Sequence, residues 1–502
     1  MSDKTEEQKE KPAAESKPTP QDQIVEVQHT VLIGEKEISY TVTTGTLILK
    51  EETENKGDKA GESEGEKPKA SVFFVAYTRN DVDDQAQRPV TFSFNGGPGS
   101  ASVWLHLGAL GPRRVWMDDI GNLPPPPYRL VDNAHSILDT TDLVFIDPVL
   151  TGYSRAVVGE KAKEFLNFKK DIESVGDFIR LYTTRYQRWL SPKFLIGESY
   201  GTTRAAGLSG YLQDRHGMYL NGIMLVSSIL DFGTADFHPA NDLPHLLYLP
   251  TFAATAWYHQ RLEAPLQKDL RALLDEVEAF ALGEYTTALM KGAALTAEER
   301  AVIRQRLVRY TGLSADYLDR VNLRIEIMRF TKELLRDQRR TVGRLDSRFT
   351  GIDRDAGGET FEYDPSMANI IGPYTAAFND YVRRELNFQS DLPYEVLNFK
   401  ANEQWSFAQH ENRYVEVSET LRKAITANPY LKIFVANGYY DLATPYFATE
   451  YTFNHLSLDP DLQPNIAMRY YEAGHMMYIH QPSLAQLKQD LAAFIKGAVP
   501  QA

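Results

Sequence analysis

The segment Phe194-Leu195-Ile196-Gly197-Glu198-Ser199-Tyr200-Gly201 constrains the fold more than any other stretch of this chain. An apolar run of buried-strand type meets a Gly-x-Ser-x-Gly turn, and residues 202–212 then read as helix. A sharp strand-to-helix turn needs small residues two before and two after the serine, because side chains there would meet neighbouring backbone. Such a turn presents the hydroxyl at a helix N-terminus, where backbone N–H groups and the helix dipole favour developing negative charge. Gly-x-Ser-x-Gly alone occurs by chance in long chains and then means a glycine-rich turn with a surface serine. The flanking strand and helix make Ser199 a candidate nucleophile.

The rest of the chain reads as a setting for that turn. Further short apolar runs, at 90–95, 142–147, 221–226 and 432–437, each end in a Gly- or Pro-containing turn, and several lead into helical patterns. Runs of that type interleaved with helices predict a mostly parallel α/β sheet. Residues 1–23 lack the apolar surface to offset ordering entropy and are expected to be disordered. Residues 24–235 read as the first part of an α/β core. It opens with β-rich segments turning at Gly34-Glu35-Lys36 and contains a charged, low-complexity stretch at 51–70, expected to be a flexible loop between two strands. From 236 to 394 the texture becomes helical: Leu266, Leu270, Leu273, Val277 and Phe280 recur at helical spacing, Thr296 with Glu299 forms a capping-box pattern, and 321–335 gives another amphipathic stretch. This block is expected to be a helical cap inserted into the core, which resumes over 395–502.

A serine nucleophile needs a base and an acid that orients it, in chain order Ser, Asp, His for a turn of this kind. Asp441 follows the apolar run 433–437, and His475 follows the strand-like run 466–471, so both fall at C-terminal strand ends, where ligand chemistry collects in open α/β sheets. His480, four residues on, lacks the spacing of a helical zinc motif, and His410 and His455 read as surface or packing residues. The chain contains no cysteine, which excludes disulfides, thiolate catalysis and Cys-based metal centres. No cofactor and no metal are expected. With 54 Lys plus Arg against 68 Asp plus Glu the formal charge is −14, which disfavours nucleic acid and anionic membranes as partners.

A second glycine cluster, Asn95-Gly96-Gly97-Pro98-Gly99-Ser100, ends another strand and can bring bare backbone close to a ligand; read alone it is also compatible with a tight turn. No Lys-Ser/Thr follows, so it is not a phosphate loop. Taken with Leu110-Gly111-Pro112, Phe145-Ile146-Asp147, Thr151-Gly152-Tyr153-Ser154, Gly197-Glu198-Ser199-Tyr200-Gly201, the Asp441 loop and Gly474-His475-Met476, the sequence resembles the serine carboxypeptidase family of the α/β-hydrolase fold, in family order from about residue 71 onward. The resemblance implies that Ser199 attacks the peptide carbonyl, His475 acts as base and then acid, and Asp441 orients the imidazole. It implies an oxyanion hole of the Gly97 and Tyr200 N–H groups, and a site for the substrate's terminal carboxylate made by Asn95, Gly96 and Glu198. A carboxyl can face a carboxylate favourably only if one carries a proton, so Glu198 should have a raised pKa.

The chain departs from the family pattern at several places. Ala109 stands where the family usually supplies a second Glu, which puts an acidic pH optimum in doubt and prompts the expectation that carboxylate recognition is weaker or is helped by a cation, with His106, Arg113 and Arg204 as candidates that also read as surface charge or packing residues. Phe92 replaces a usual Trp, Ser100 replaces a usual Cys, and the segment at Asp147-Pro148-Val149 looks one residue short. Without disulfides the cap must be held by packing, as in a disulfide-free, bacterial-type member. The expected function is release of C-terminal residues from peptides with a free C-terminus through an acyl-enzyme; the alternative is an acyltransferase or esterase using the same triad. Residues 1–21 contain no Val, Ile, Leu or aromatic residue, so the chain as given reads as cytoplasmic, with periplasmic or secreted as the alternative if a signal was removed. No run approaches the roughly 18 apolar residues of a membrane helix.

Overall fold

Five short segments, Val90–Phe94, Asp142–Ile146, Lys193–Ser199, Gly222–Ser228 and Lys432–Gly438, are buried along almost their whole length, which requires cover on both faces. That is the condition under which a parallel sheet forms. The computed structural model describes residues 20–55 and 61–500. Its main sheet contains β1 (Gln23–Ile33), β2 (Lys36–Glu54), β3 (Ser63–Arg79), β4 (Val90–Phe94), β5 (Asp142–Ile146), β6 (Lys193–Ser199), β7 (Gly222–Ser228), β8 (Lys432–Gly438) and β9 (Ile466–Tyr471). They lie in the order β1-β2-β3-β5-β4-β6-β7-β8-β9, with Arg155–Ala156 adding a short strand to β3. From β5 to β9 all neighbours are parallel; β1, β2, β3 and β5 are joined antiparallel. This is a mixed sheet of the α/β-hydrolase type, as expected.

The helices that matter below are α1 (Phe168–Arg185), α2 (Tyr200–His216), α3 (Leu249–Tyr258), α4 (Leu270–Phe280), α5 (Ala297–Thr311), α6 (Pro365–Arg384), α7 (Ser418–Ala427), α8 (Tyr446–Asn454) and α9 (Gln481–Ala498). One face of the sheet is covered by α1, α2 and α7, whose Phe178, Leu208 and Leu421 join Phe92, Leu195 and Ile433 in one core cluster. The other is covered by α6 and α9, whose Tyr374, Phe378, Leu487 and Leu491 pack on Phe145, Ile196 and Met224. A third cluster gathers α3, α4 and α5 around Leu274, Phe330 and Leu307, and takes in Tyr440 and Leu442 from the loop after β8 and Tyr446 at the start of α8. The helical block expected over 236–394 therefore divides in packing: residues up to Val342 build the third cluster, whereas α6 belongs to the sheet core.

Two local expectations need correction. The loop expected over 51–70 is mostly a β-arm: β2 and β3 stay paired from Tyr40↔Arg79 out to Glu54↔Ser63, with register shifts at Leu49/Lys50 and Thr53/Glu54. Its outer residues are exposed, and Lys50 sits 3.9 Å from Glu66 across the ladder. Backbone pairing carries a strand beyond its apolar pattern, and charged composition does not report that pairing. Likewise the stretch 321–335 is helical only over Ile327–Glu333, because Asn322 and Leu323 adopt positive φ (50° and 64°) and the Glu326 carboxylate caps the N–H groups of Met328 and Arg329. The Thr296–Glu299 capping box is present as read, with reciprocal bonds of 3.0 and 3.2 Å. Of the tail expected to be disordered over 1–23, residues 1–19 lie outside the described residues, as do 56–60 of the expected loop; Gln23 already opens β1. Among the described residues no helix is long and apolar enough to cross a membrane.

Candidate active site

Ser199 ends β6 with φ 61° and ψ −131°, a strained conformation for a residue with a side chain, and Tyr200 begins α2 immediately afterwards. The strain is tolerable only because both flanking glycines lack a side chain. A Cβ on Gly197 would sit 2.1 Å from the Gly201 carbonyl oxygen, and one on Gly201 would sit 2.8 Å from that of Phe94. The glycine cluster after β4 packs against the same corner: a Cβ on Gly96 would lie 2.4 Å from the Tyr200 nitrogen and 2.7 Å from that of Gly201. Gly97 is exposed, with φ 102°, a conformation that glycine adopts freely.

The parallel register brings the ends of β8 and β9 alongside. Asp441, fully buried, accepts hydrogen bonds on Oδ1 from the N–H groups of Ala443 (2.8 Å) and Thr444 (3.0 Å). Its Oδ2 accepts from the Thr444 hydroxyl (2.7 Å) and from His475 Nδ1 (2.7 Å). With Nδ1–H so engaged, the other ring nitrogen, Nε2, is left as the acceptor. The His475 backbone is fixed as well: its N–H donates to the Leu345 carbonyl (2.7 Å) and its carbonyl accepts from Ser227 Oγ (2.7 Å). Burial disfavours the imidazolium, but the charge and hydrogen bond of Asp441, with Glu198 adding to them, outweigh it and leave the His475 pKa raised.

Ser199 and His475 line one cleft of about 240 Å³ together with Asn95, Gly96, Gly97 and Glu198. Burial pushes the Glu198 carboxyl up to about 7, against the opposing influence of His475 and of the Tyr478 hydroxyl, which donates to Glu198 Oε2 at 2.6 Å. Asn95 accepts the Leu105 N–H on its side-chain oxygen (3.1 Å), and its buried amide faces Glu198 and Tyr478, whose pKa values it lowers by hydrogen bonding.

None of the three cations suggested by the sequence reaches this cleft. His106 is buried, stacked on Phe145 at 4.2 Å and bonded to the Tyr77 hydroxyl (2.6 Å); burial lowers its pKa to about 3, so it carries no charge. Arg113 is engaged at the surface by Asp132 and Glu385. Arg204 lies behind the glycine loop, where Nε donates to Asp171 (2.9 Å) and Nη1 to the Asn95 carbonyl. The cleft instead holds Arg344, and Tyr478 is the described hydroxyl bonded to Glu198. Neither lies in a motif; their only sequence signals are proximity to Asp346 and to His475, and these say nothing about direction. Thr444, three residues beyond Asp441, was equally silent.

A family model described as serine carboxypeptidase matches residues 60–479. The pheromone-processing carboxypeptidase KEX1 of Saccharomyces cerevisiae is 34% identical over 135 residues, which is 26% of this chain but only 17% of that relative's length. The crystal structure of KEX1(delta)P, a prohormone-processing carboxypeptidase from the same yeast, superposes with a TM-score of 0.54 at 16% identity, covering 91% of each chain, a likeness of fold. Proline iminopeptidase from Mycobacterium smegmatis reaches a TM-score of 0.33 at 13% identity over 94% of this chain and 99% of its own, too slight to carry an argument.

Proposed function

This chain belongs to the serine carboxypeptidase family, and from that premise we propose that it hydrolyses the last peptide bond of peptides with a free C-terminus. Ser199 Oγ attacks the scissile carbonyl while His475 Nε2 takes its proton, and Asp441 holds the imidazole through Nδ1 and stabilises the imidazolium. The Gly97 and Tyr200 N–H groups receive the oxyanion, a contribution of about 3–4 kcal/mol for each such donor. His475 then protonates the leaving amine, the acyl-enzyme forms on Ser199, and water activated by the same imidazole releases it. Asn95, Gly96 and Glu198 hold the terminal carboxylate.

One observation carries the choice of an exopeptidase: a buried amide donor on Asn95 shares the cleft with Ser199 and with Glu198, a carboxyl whose burial favours the protonated form. Two neutral donors beside the reacting centre suit a carboxylate one bond away from it. Hydrolysis of an ester or transfer of its acyl group needs no such pair. Mass spectrometry of one peptide, free or amidated at its C-terminus, incubated with wild type and Ser199→Ala, tests the reading. The expected result is a ladder shortened from the free C-terminus by wild type alone. Intact peptides alongside cleavage of p-nitrophenyl esters would overturn it in favour of an esterase.

A further inference from the structure

Arg344 is the cation lining the active-site cleft, and the proposed mechanism gives it no role. Its backbone is held on several sides. Its N–H donates to Asp364 Oδ1 (3.2 Å) and its carbonyl accepts from Leu442 (3.1 Å) in the Asp441 loop; the next carbonyl, Leu345, accepts from His475 (2.7 Å). The segment is thereby tied to both loops of the triad. The guanidinium has no such tie: among the described residues no carboxylate lies within salt-bridge distance of it. The nearest acid in sequence, Asp346, is already committed to Arg348 (2.7 Å) and to the Gly474 N–H (3.1 Å).

The surroundings say what such a cation can read. Arg344 is half-buried, and the cleft it lines also carries apolar side chains, those of Met367 and Ile370 of α6, Met476 and Trp104. A wall of that kind accommodates a short aliphatic stem, and the guanidinium offers paired donors to a carboxylate at its end. In the carboxypeptidase reading Asn95, Gly96 and Glu198 hold the terminal carboxylate, whereas Arg344 lies on the segment bonded to the Asp441 and His475 loops. The terminal carboxylate and the guanidinium therefore address different parts of the substrate. A half-buried, unpaired cation in a water-accessible cleft is better satisfied by an anion than by a neutral group.

We propose that Arg344 is a specificity-determining residue that selects peptides whose C-terminal residue carries a carboxylate side chain, glutamate above all. This rests on the carboxypeptidase reading and names a substrate class for it. The test compares two peptides identical except for a C-terminal Glu or its neutral isostere Gln, with kcat/KM measured near neutral pH for wild type, Arg344→Gln and Arg344→Lys. Wild type should favour the Glu peptide by about tenfold, mainly through KM, as expected of a buried-edge charge pair. Arg344→Gln should bring the ratio close to one, and Arg344→Lys, which keeps the charge, should retain a preference for Glu. Because the readout is a ratio, a variant of lowered overall activity still reports.

A wild-type ratio near one, or a ratio unmoved in Arg344→Gln, overturns the proposal while release of the Gln peptide leaves the carboxypeptidase reading standing. A preference that follows Glu at the penultimate position instead also overturns it. Release of neither C-terminal residue overturns both readings together.

Discussion

An ordinary glutamate is ionised at pH 7 and repels another carboxylate; Glu198 differs because burial raises its pKa to about 7. In the proposed mechanism its neutral form binds the substrate, so binding is complete below that value and weakens as pH rises through it. His475 works in the opposite sense. Its pKa is raised, so the neutral base is lost as pH falls through it. The profile of kcat/KM should therefore be a bell around neutrality whose two limbs belong to the coupled pair. Glu198→Gln should abolish the alkaline limb, and a limb that persists in that variant would remove Glu198 from the binding step. The Tyr478 hydroxyl stabilises the ionised form of Glu198 by donating to it, so Tyr478→Phe should shift the alkaline limb to higher pH; an unmoved limb would show the phenol to be a packing residue. Ser199→Ala should lower kcat by at least about 10⁴-fold without unfolding the chain, since the proposed mechanism takes its nucleophile from this Oγ, which makes no core contact.

Between the residues and the whole stand the turn joining β6 to α2 and the glycine loop after β4, which lock together. Gly96 lies against the Tyr200 nitrogen, and Arg204 of α2 reaches back to the Asn95 carbonyl while paired with Asp171. Arg204→Leu would leave Asp171, 4% exposed, without its counter-charge. The expected loss is about 3–5 kcal/mol of stability, read by thermal or urea unfolding, with a raised KM because the loop that carries Asn95 loses an anchor. A loss under about 1 kcal/mol would place that ion pair among those that contribute little net stability. Much of this scale was legible in the sequence, because its rules are local. Glycine two before and two after Ser199 states the elbow directly. The outer part of the β2–β3 arm was not legible, since ladder hydrogen bonds join residues whose side chains carry no apolar pattern.

Across the whole molecule, the helical cluster of α3, α4 and α5 shares its core with Tyr440, Leu442 and Tyr446, which flank Asp441. Tyr446 also donates to Glu278 of α4 at 2.6 Å. Packing thus couples this helical cluster to the loop that carries Asp441 in a chain without disulfides. Leu274→Ala, at a fully buried site in that cluster, should cost about 2–5 kcal/mol and lower kcat together with the unfolding midpoint; a full loss of stability with kcat unchanged would mean that the cluster and the Asp441 loop unfold independently. The sequence by itself determined the parallel core, the elbow and the order Ser199, Asp441, His475, because strand runs, obligatory glycines and chain order are properties of neighbouring residues. Only the tertiary structure decided which cation enters the cleft and what faces Glu198. Tyr478 reaches it from 280 positions away, and Arg344 arrives on a segment bonded to both triad loops, while His106, Arg113 and Arg204 are turned to other partners. Side-chain direction at a distance depends on how β6, β8 and β9 align and on what α6 packs beside them, and no local pattern encodes that.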